Sequence, residues 1–191
     1  TGYQLSKLSG VPRSMIYEAL GKLVARGAAM TLRSEGTTKY APVPAGEYLS
    51  GEANETAELE AFYIDLLPVT NAEYRKFIEA TGYRAPKFWG EDRLKEPNEP
   101  VVGVSWYDAD KFATWAGKEL PSAAQWEKAA RGIEGRLYPW GNEFDESNAN
   151  FGHTDGEDMT SPVDRFEENR SVFGVRDLVG NVWEWTKDWD K

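Results

Sequence analysis

The pattern of apolar and polar positions divides the chain into two parts with different predicted structures. In the first part a short helix is predicted between Gln4 and Ser9, and a second helix begins at Pro12, where a missing backbone N–H is tolerated. The apolar face of the second helix recurs at helical spacing and comprises Ile16, Leu20, Leu23 and Val24. Two strands, residues 29–32 and 37–40, are predicted around a glycine-containing turn. Helix, tight turn, helix and β-hairpin is the order of a winged helix-turn-helix.

The longer second part is predicted to contain three capped helices after an apolar strand at residues 62–64. Each helix has a hydroxyl residue at its N-cap and an acceptor side chain three positions later, which is the pattern of a capping box. The three pairs are Thr70 and Glu73, Ser105 and Asp108, and Ser122 and Gln125. The glycines placed to end these helices are Gly82, Gly117 and Gly132. The apolar faces, which we expect in the core, comprise Tyr74, Phe77, Ile78, Phe112, Ala113, Ala116, Trp126, Ala129 and Ala130.

Little regular periodicity remains after Gly132, so residues 133–185 are predicted to be mostly loops. Loops of this length in a compact domain require something that stabilises them. The sequence offers two candidates. All eight tryptophans lie after residue 88 and can be buried against the loops, and the many Asp, Glu and Asn side chains can bind calcium through oxygen atoms.

Charge separates the same two parts. Residues 1–46 contain six basic and two acidic side chains, a net charge of +4, whereas the remainder contains 16 basic and 30 acidic side chains, a net charge of −14. A basic segment beside an acidic, tryptophan-rich one predicts that only the first binds an anion such as DNA.

Cysteine content and apolar runs limit the classes of protein that remain. The chain has no cysteine, which excludes a disulfide framework and a thiolate metal site within it and suits a reducing compartment. The apolar runs are only a few residues long and no export signal opens the chain, so we expect a soluble cytoplasmic protein without a membrane partner. We also expect both ends to be cut from a longer protein.

The first 20 residues resemble the TrmB-like family of transcriptional regulators, in which the motif at 10–14, GVPRS, opens the recognition helix. The resemblance implies a partial winged-helix domain at residues 1–42, whose first helix would precede Thr1, and double-stranded DNA as its partner. Recognition helices place their N-terminal side chains nearest the bases. The predicted DNA-binding residues are Arg13, Ser14, Tyr17, Lys22, Arg33 and Lys39. The alternative is a winged helix used only for protein contact or for homodimerisation.

Residues 43–191 resemble the formylglycine-generating-enzyme family, also called the sulfatase-modifying-factor family. Five motifs occur in the family's order and spacing: PVTNAEY at 68–74, PVVGVSW at 100–106, LPSAAQWEKAARG at 120–132, YPWG at 138–141 and VGNVWEW at 179–185. The resemblance implies a loop-rich variant of the C-type lectin fold, truncated at its C-terminus. The whole chain is therefore predicted to be an α+β protein, with a winged helix-turn-helix followed by this lectin-like domain.

The same resemblance implies two structural calcium sites. The first would use carboxylates of Asp177 and Glu184 with carbonyls of Gly180 and Val182. The second would use side-chain oxygens of Asn150 and Asp155 with carbonyls of Phe151 and Glu157. In both sets the alternative is that the acidic side chains only cap turns in solvated loops. The single histidine, His153, lies in a loop, and no Ser/His/Asp arrangement can be built from it.

Family members oxidise a substrate cysteine to formylglycine with a pair of reactive cysteines that hold copper in aerobic members. Both cysteines would follow the VGNVWEW motif, so no catalytic residue is assigned here, and we predict that the 191 residues alone are inactive. Three functions remain. The first is a DNA-binding regulator whose lectin-like domain senses a small-molecule or protein ligand. The second is a formylglycine-generating oxidoreductase with an accessory winged helix. The third is a ligand-binding display protein of a diversity-generating retroelement.

Overall fold

The computed structural model describes residues 33–34, 37–91, 94, 96–152 and 160–188. The two helices predicted before residue 30, and the strand predicted at 29–32, lie outside this range. Of the predicted wing, the structure has a short antiparallel hairpin of β1 (Arg33–Ser34) and β2 (Thr37–Thr38). Tyr40, which we predicted at the end of the wing, instead begins the next strand.

Two further antiparallel pairs follow the hairpin. Strand β3 (Tyr40–Val43) pairs with β6 (Phe62–Asp65), and β4 (Gly46–Ser50) pairs with β5 (Glu55–Leu59). In β3 the side chains of Ala41 and Val43 are fully buried, as the two-residue period of a strand with one core face requires. The predicted strand at 62–64 is confirmed as part of β6, and its pairing with β3 joins segments about 20 residues apart.

The three predicted helices are confirmed with their capping boxes. They are α1 (Asn71–Thr81), α2 (Trp106–Trp115) and α3 (Ala123–Arg131), and a 3-10 turn, Glu146–Asn148, comes later. The hydroxyls of Thr70, Ser105 and Ser122 each accept the backbone N–H three residues on. Gly82 and Gly132 end α1 and α3 with positive φ, and Gly117 does the same two residues after α2.

The helices and strands enclose two apolar clusters. Stacked and edge-on aromatic rings of α1 and α2 form the first: the Tyr74 ring lies 5.4 Å from that of Phe112 and 5.3 Å from that of Phe77. The second packs α3 against β3 and a later loop, through Ala41, Val43, Ala129, Ala130, Val175 and Leu178. Of the helix residues that we predicted in the core, Tyr74, Phe77, Phe112, Ala113, Ala129 and Ala130 are buried.

A buried lysine joins α3 to the start of the β-structure. Lys128 is fully buried, and its Nζ donates to the carbonyl oxygens of Pro44 (2.9 Å) and Gly46 (2.8 Å). Burial lowers the pKa of Lys128. A buried ammonium is costly unless its N–H groups have hydrogen-bond acceptors. The lysine must therefore stay next to these two carbonyls, which holds α3 against the β3–β4 connection. None of the helices in the described part of the chain is long and apolar enough to cross a membrane.

Candidate functional site

The loop at residues 177–184 is held in an unusual backbone conformation. Asp177, Gly180 and Asn181 have φ of +59°, +77° and +60°. A Cβ atom at position 180 would overlap the backbone carbonyl of Asn150, and the Asn181 N–H donates to that same carbonyl at 2.8 Å. Glycine is therefore required at 180 both for its φ and for the close approach. This contact brings together the two segments that we predicted to bind calcium.

Asn181 organises the polar interior of this loop. Its side-chain Nδ2 donates to Asp177 Oδ2 (2.7 Å) and to the Ser161 carbonyl (3.0 Å), and its Oδ1 accepts the Ser161 N–H (2.8 Å). Asn181 is not among the site residues predicted from the sequence. The sequence did contain a signal for this residue, because Asn181 is the amide residue directly after the glycine of the VGNVWEW motif.

The two carboxylates of the loop lie in surroundings that disfavour their charge. Burial raises the pKa of Asp177 to about 6, against a lowering by the Asn181 hydrogen bond. Burial raises the pKa of Glu184 to about 7, although its Oε2 accepts the Trp126 indole N–H at 2.5 Å, and the nearby charge of Asp177 raises it further. Glu184 is nevertheless an exposed residue that solvent reaches, whereas Asp177 is buried.

The first predicted calcium set fits a hard cation in its donor chemistry. The set has two carboxylates with raised pKa values and two carbonyl oxygens. A bound cation would favour the ionised form of both carboxylates. The Gly180 carbonyl also accepts the Val182 N–H at 2.7 Å. No group of three or more His, Cys, Asp or Glu side chains that could hold a metal occurs within the described ranges. Calcium here would therefore depend on carbonyls and water for most of its ligands, and it stays a prediction.

The second predicted set is only partly within the described residues. Asn150 Oδ1 accepts the Gly152 N–H at 3.0 Å, and the Phe151 ring lies 5.5 Å from that of Phe144. Asp155 and Glu157, together with His153, lie outside the described residues. This set therefore remains a prediction.

A cavity of about 780 Å³ lies beside the carboxylate loop. Its wall includes all four residues of β6, Tyr74 of α1, one face of α2 and the loop from Val182 to Trp185. An ion pair lies in this wall, where Lys118 Nζ donates to both carboxylate oxygens of Asp65 at 2.8 and 2.7 Å. Burial raises the pKa of Asp65, although the charge of Lys118 opposes it.

Most of the predicted DNA-binding residues lie outside the part of the chain that the structure describes. Arg13, Ser14, Tyr17 and Lys22 lie outside the described residues, and for Arg33 only the backbone, in β1, is described. Lys39 is described, and its Nζ lies 3.9 Å from the Glu73 carboxylate with both side chains largely exposed. An exposed ion pair at this distance contributes little to the stability of the fold, so Lys39 remains available to bind another anion.

The loop-rich domain, with its capped helices and its VGNVWEW loop, belongs to a known class of fold. The chain belongs to the sulfatase-modifying factor enzyme 1-like domain family, whose model matches residues 25–191. The model of the sugar-specific transcriptional regulator TrmB matches residues 1–46.

Two relatives and one solved structure show the range of proteins with this domain. The formylglycine-generating enzyme of Bos taurus is 33% identical over 82% of this chain and 59% of its own length. The serine/threonine-protein kinase Pkn1 of Chlamydia trachomatis is 41% identical over 69% of this chain and 23% of its own length. The structure of PvdO from Pseudomonas aeruginosa superposes with a TM-score of 0.63 at 25% identity, covering 79% of this chain and 71% of that one. The chain thus spans about three fifths of the length of the formylglycine-generating enzyme it matches.

Copper does not fit the residues present. The 191 residues contain no cysteine and one histidine, so they offer no thiolate to this soft metal. Copper therefore has no ligand set among these residues. The carboxylate loop and the cavity beside it are the candidate site of this chain.

Proposed function

We propose that the protein is an oxidoreductase of the formylglycine-generating type, to which these 191 residues contribute the scaffold and the thiols come from elsewhere in the protein. The observation that carries the proposal is the family match over residues 25–191, together with relatives that bear the name formylglycine-generating enzyme. The function replaces our first expectation, a DNA-binding regulator, as the main hypothesis. The substrate would be a cysteine side chain in a polypeptide, with molecular oxygen as the oxidant and a second thiol reductant. The products would be an aldehyde, hydrogen sulfide, water and the disulfide of the reductant.

The carboxylate loop would act as a support in this enzyme. Asp177, Asn181 and Ser161 form a hydrogen-bonded unit, and Glu184 links that unit to Trp126 on α3. These contacts connect the last loop to the helices without a regular element between them. Calcium at the first predicted set would neutralise the two carboxylates and stiffen the same loop.

The test is an activity assay on the full-length protein with a cysteine-containing peptide derived from a sulfatase. We expect an aldehyde product, which hydrazide capture and mass spectrometry would detect. In the same protein Glu184→Gln should reduce the rate at least tenfold by loosening the loop, whereas Glu79→Gln, at an exposed position of α1 outside the cavity, should not change it. Absence of any aldehyde from a folded full-length protein would refute the proposal.

A second candidate is DNA-binding regulation, which the TrmB match at residues 1–46 and the net charge of +4 in that segment favour. A gel shift of the full-length protein on its own promoter region, against a scrambled duplex at two salt concentrations, tests it. We expect binding to weaken steeply with salt, because phosphate contacts release counterions. Arg13→Ala should weaken binding, whereas Lys76→Ala, on the exposed face of α1, should not. Salt-independent retention of the duplex would contradict this function.

The remaining expectations are also proposals. A cytoplasmic location is proposed because these 191 residues contain no cysteine that could form a disulfide. Homodimerisation would follow from a winged-helix regulator. The boundary between the two domains near residue 42 is likewise a proposal. Strand β3, which starts at Tyr40, crosses this boundary, because it pairs with β6 of the second domain.

A further inference from the structure

A fully buried asparagine, Asn169, lies next to the start of the carboxylate loop. Its backbone N–H donates to the Phe166 carbonyl at 3.2 Å, which closes a turn. The residue after it, Arg170, forms an isolated β-bridge with Arg176. A turn on one side and a bridge on the other therefore fix the position of Asn169 before the loop begins at Asp177.

Two hydrogen bonds connect Asn169 to the backbone of the loop. Its carbonyl oxygen accepts the Asp177 N–H at 2.9 Å, and its side-chain Nδ2 donates to the Val179 carbonyl at 2.7 Å. The residue between these two contacts, Leu178, is buried in the second apolar cluster. The segment from Asp177 to Val179 is thus held by main-chain hydrogen bonds at both ends and by apolar packing in the middle.

The two polar atoms of the Asn169 side chain differ in their surroundings. Its Oδ1 is buried and has no hydrogen-bond partner in the described part of the chain, whereas its Nδ2 donates to the Val179 carbonyl. A buried acceptor without a partner costs free energy. The Nδ2 donor is therefore the group through which this amide stabilises the loop, and replacement by alanine removes that donor without adding a charge.

The first predicted calcium set depends on the segment that Asn169 holds. Asp177, which would supply a carboxylate, has a φ of +59°, a conformation that costs free energy for a residue with a side chain. Gly180, which would supply a carbonyl, directly follows Val179. The Asp177 N–H and the Val179 carbonyl, which Asn169 contacts, are not themselves predicted ligands. A change at Asn169 therefore affects a bound cation only through the geometry of the loop.

We propose that Asn169 is a positioning residue for the first predicted calcium set, because it holds the segment from Asp177 to Val179 in its ligand-binding conformation before a cation binds. The inference rests on that calcium set and does not depend on whether the protein oxidises cysteine. Residues that orient metal ligands without touching the metal typically change its affinity by about 10- to 100-fold when they are replaced.

Terbium luminescence of the full-length protein measures this role, because terbium binds at calcium sites and is excited by nearby tryptophans. The part of the signal that Asp177→Ala removes defines the first set. At this set, Asn169→Ala should weaken terbium binding by about 10- to 100-fold. Phe77→Leu, a destabilising change in the distant aromatic cluster, is the control and should leave the terbium affinity unchanged.

The outcomes separate the role of Asn169 from the calcium prediction itself. Equal terbium affinity in Asn169→Ala and in the unchanged protein would overturn the proposal and leave the calcium set intact. A similar loss in Phe77→Leu would show an effect of stability alone and would also overturn it. If the unchanged protein gave no signal that Asp177→Ala removes, both the set and the role of Asn169 would be refuted.

Hydrogen exchange on the unmodified full-length protein tests the same role without a variant. The Asp177 amide donates to the Asn169 carbonyl, so it should exchange at least about 100-fold more slowly than in an unfolded chain. We expect this protection in the presence of a chelator as well as in the presence of calcium. Protection that appears only when calcium is added would show that the cation organises the segment, and it would overturn the proposal.

Discussion

The aromatic cluster of α1 and α2 and the carboxylate loop at 177–184 are stabilised in opposite ways. The first consists of regular helices with their own caps, and apolar rings fill the space between them. The second has no regular element, and polar side chains occupy its interior. One domain thus combines a region whose stability is spread over many apolar contacts with a region that depends on a few polar atoms.

The largest expected effect is at the centre of the aromatic cluster. Tyr74→Ala removes a ring that is 1% exposed and that contacts Phe77, Trp89 and Phe112. We expect a loss of about 3–5 kcal/mol in the free energy of unfolding, measured by urea denaturation, because a cavity adds to the lost burial. Tyr107→Ala, whose ring is 65% exposed on the neighbouring helix, should cost less than about 0.5 kcal/mol. If Tyr74→Ala lowered the free energy of unfolding no more than Tyr107→Ala does, the buried aromatic rings would not be the source of the domain's stability.

The corresponding change in the carboxylate loop is Gly180→Ala. A methyl group there overlaps the Asn150 carbonyl at a φ of +77°, and we expect a loss of about 3 kcal/mol from strain and overlap together. Gly152→Ala is the matched control, because its φ of +74° is similar but no atom lies within 4 Å of the added methyl. It should cost about 1 kcal/mol. Similar melting temperatures for both variants would argue against close contact between positions 150 and 180.

Calcium should sharpen the comparison, because the first predicted calcium set lies in the carboxylate loop and neither predicted set includes a residue of the aromatic cluster. Calcium at one hundred times its Kd should stabilise the protein by about 2.7 kcal/mol, through binding to the native state alone. Thermal melting with calcium and with a chelator measures the effect. Asp177→Ala should remove the part of the calcium-dependent shift that the first set contributes, and Tyr74→Ala should keep the whole shift. An unchanged melting temperature at millimolar calcium would count against both predicted sets.

A smaller effect is expected at the N-terminus of α2. Burial alone would raise the pKa of Asp108, but hydrogen bonds from the Ser105 hydroxyl and N–H, from Arg84 and from Tyr83 lower it to about 2. Asp108→Asn weakens this capping box and should cost about 1–2 kcal/mol at neutral pH. Asp110→Asn, on the same helix, is the matched control.

The direction of the pH dependence follows from the lowered pKa. Asp108 is more acidic in the folded protein than its ordinary value of 3.8, so its contribution is complete above about pH 4 and is lost as the pH falls toward 2. Melting temperatures between pH 5 and pH 2.5 should therefore fall less in Asp108→Asn than in the unchanged protein. A parallel fall in both proteins would show that Asp108 is not the responsible group.

Much of the helical part of the fold could be predicted from sequence, because its signals are local. The hydroxyl and acceptor pairs at Thr70, Ser105 and Ser122, and the apolar spacing after them, lie within one or two turns of the helix that they specify. The family motifs also predicted the right family, since both the model match and the relatives confirm it. The predicted calcium and DNA-binding side chains remain untested.

Tertiary structure alone decided the features that join distant segments. From the sequence, Lys128 would be expected on the exposed face of its helix. In the structure it is buried, and its ammonium donates to the carbonyls of Pro44 and Gly46, which are more than 80 residues earlier in the chain. Likewise, the closeness of Gly180 to Asn150, the pairing of β3 with β6 and the cavity beside them depend on contacts between residues far apart in sequence. Helix caps and apolar periodicity are encoded by neighbouring residues and were therefore readable from the sequence. The shape and polarity of the space between packed elements arise only when those elements meet.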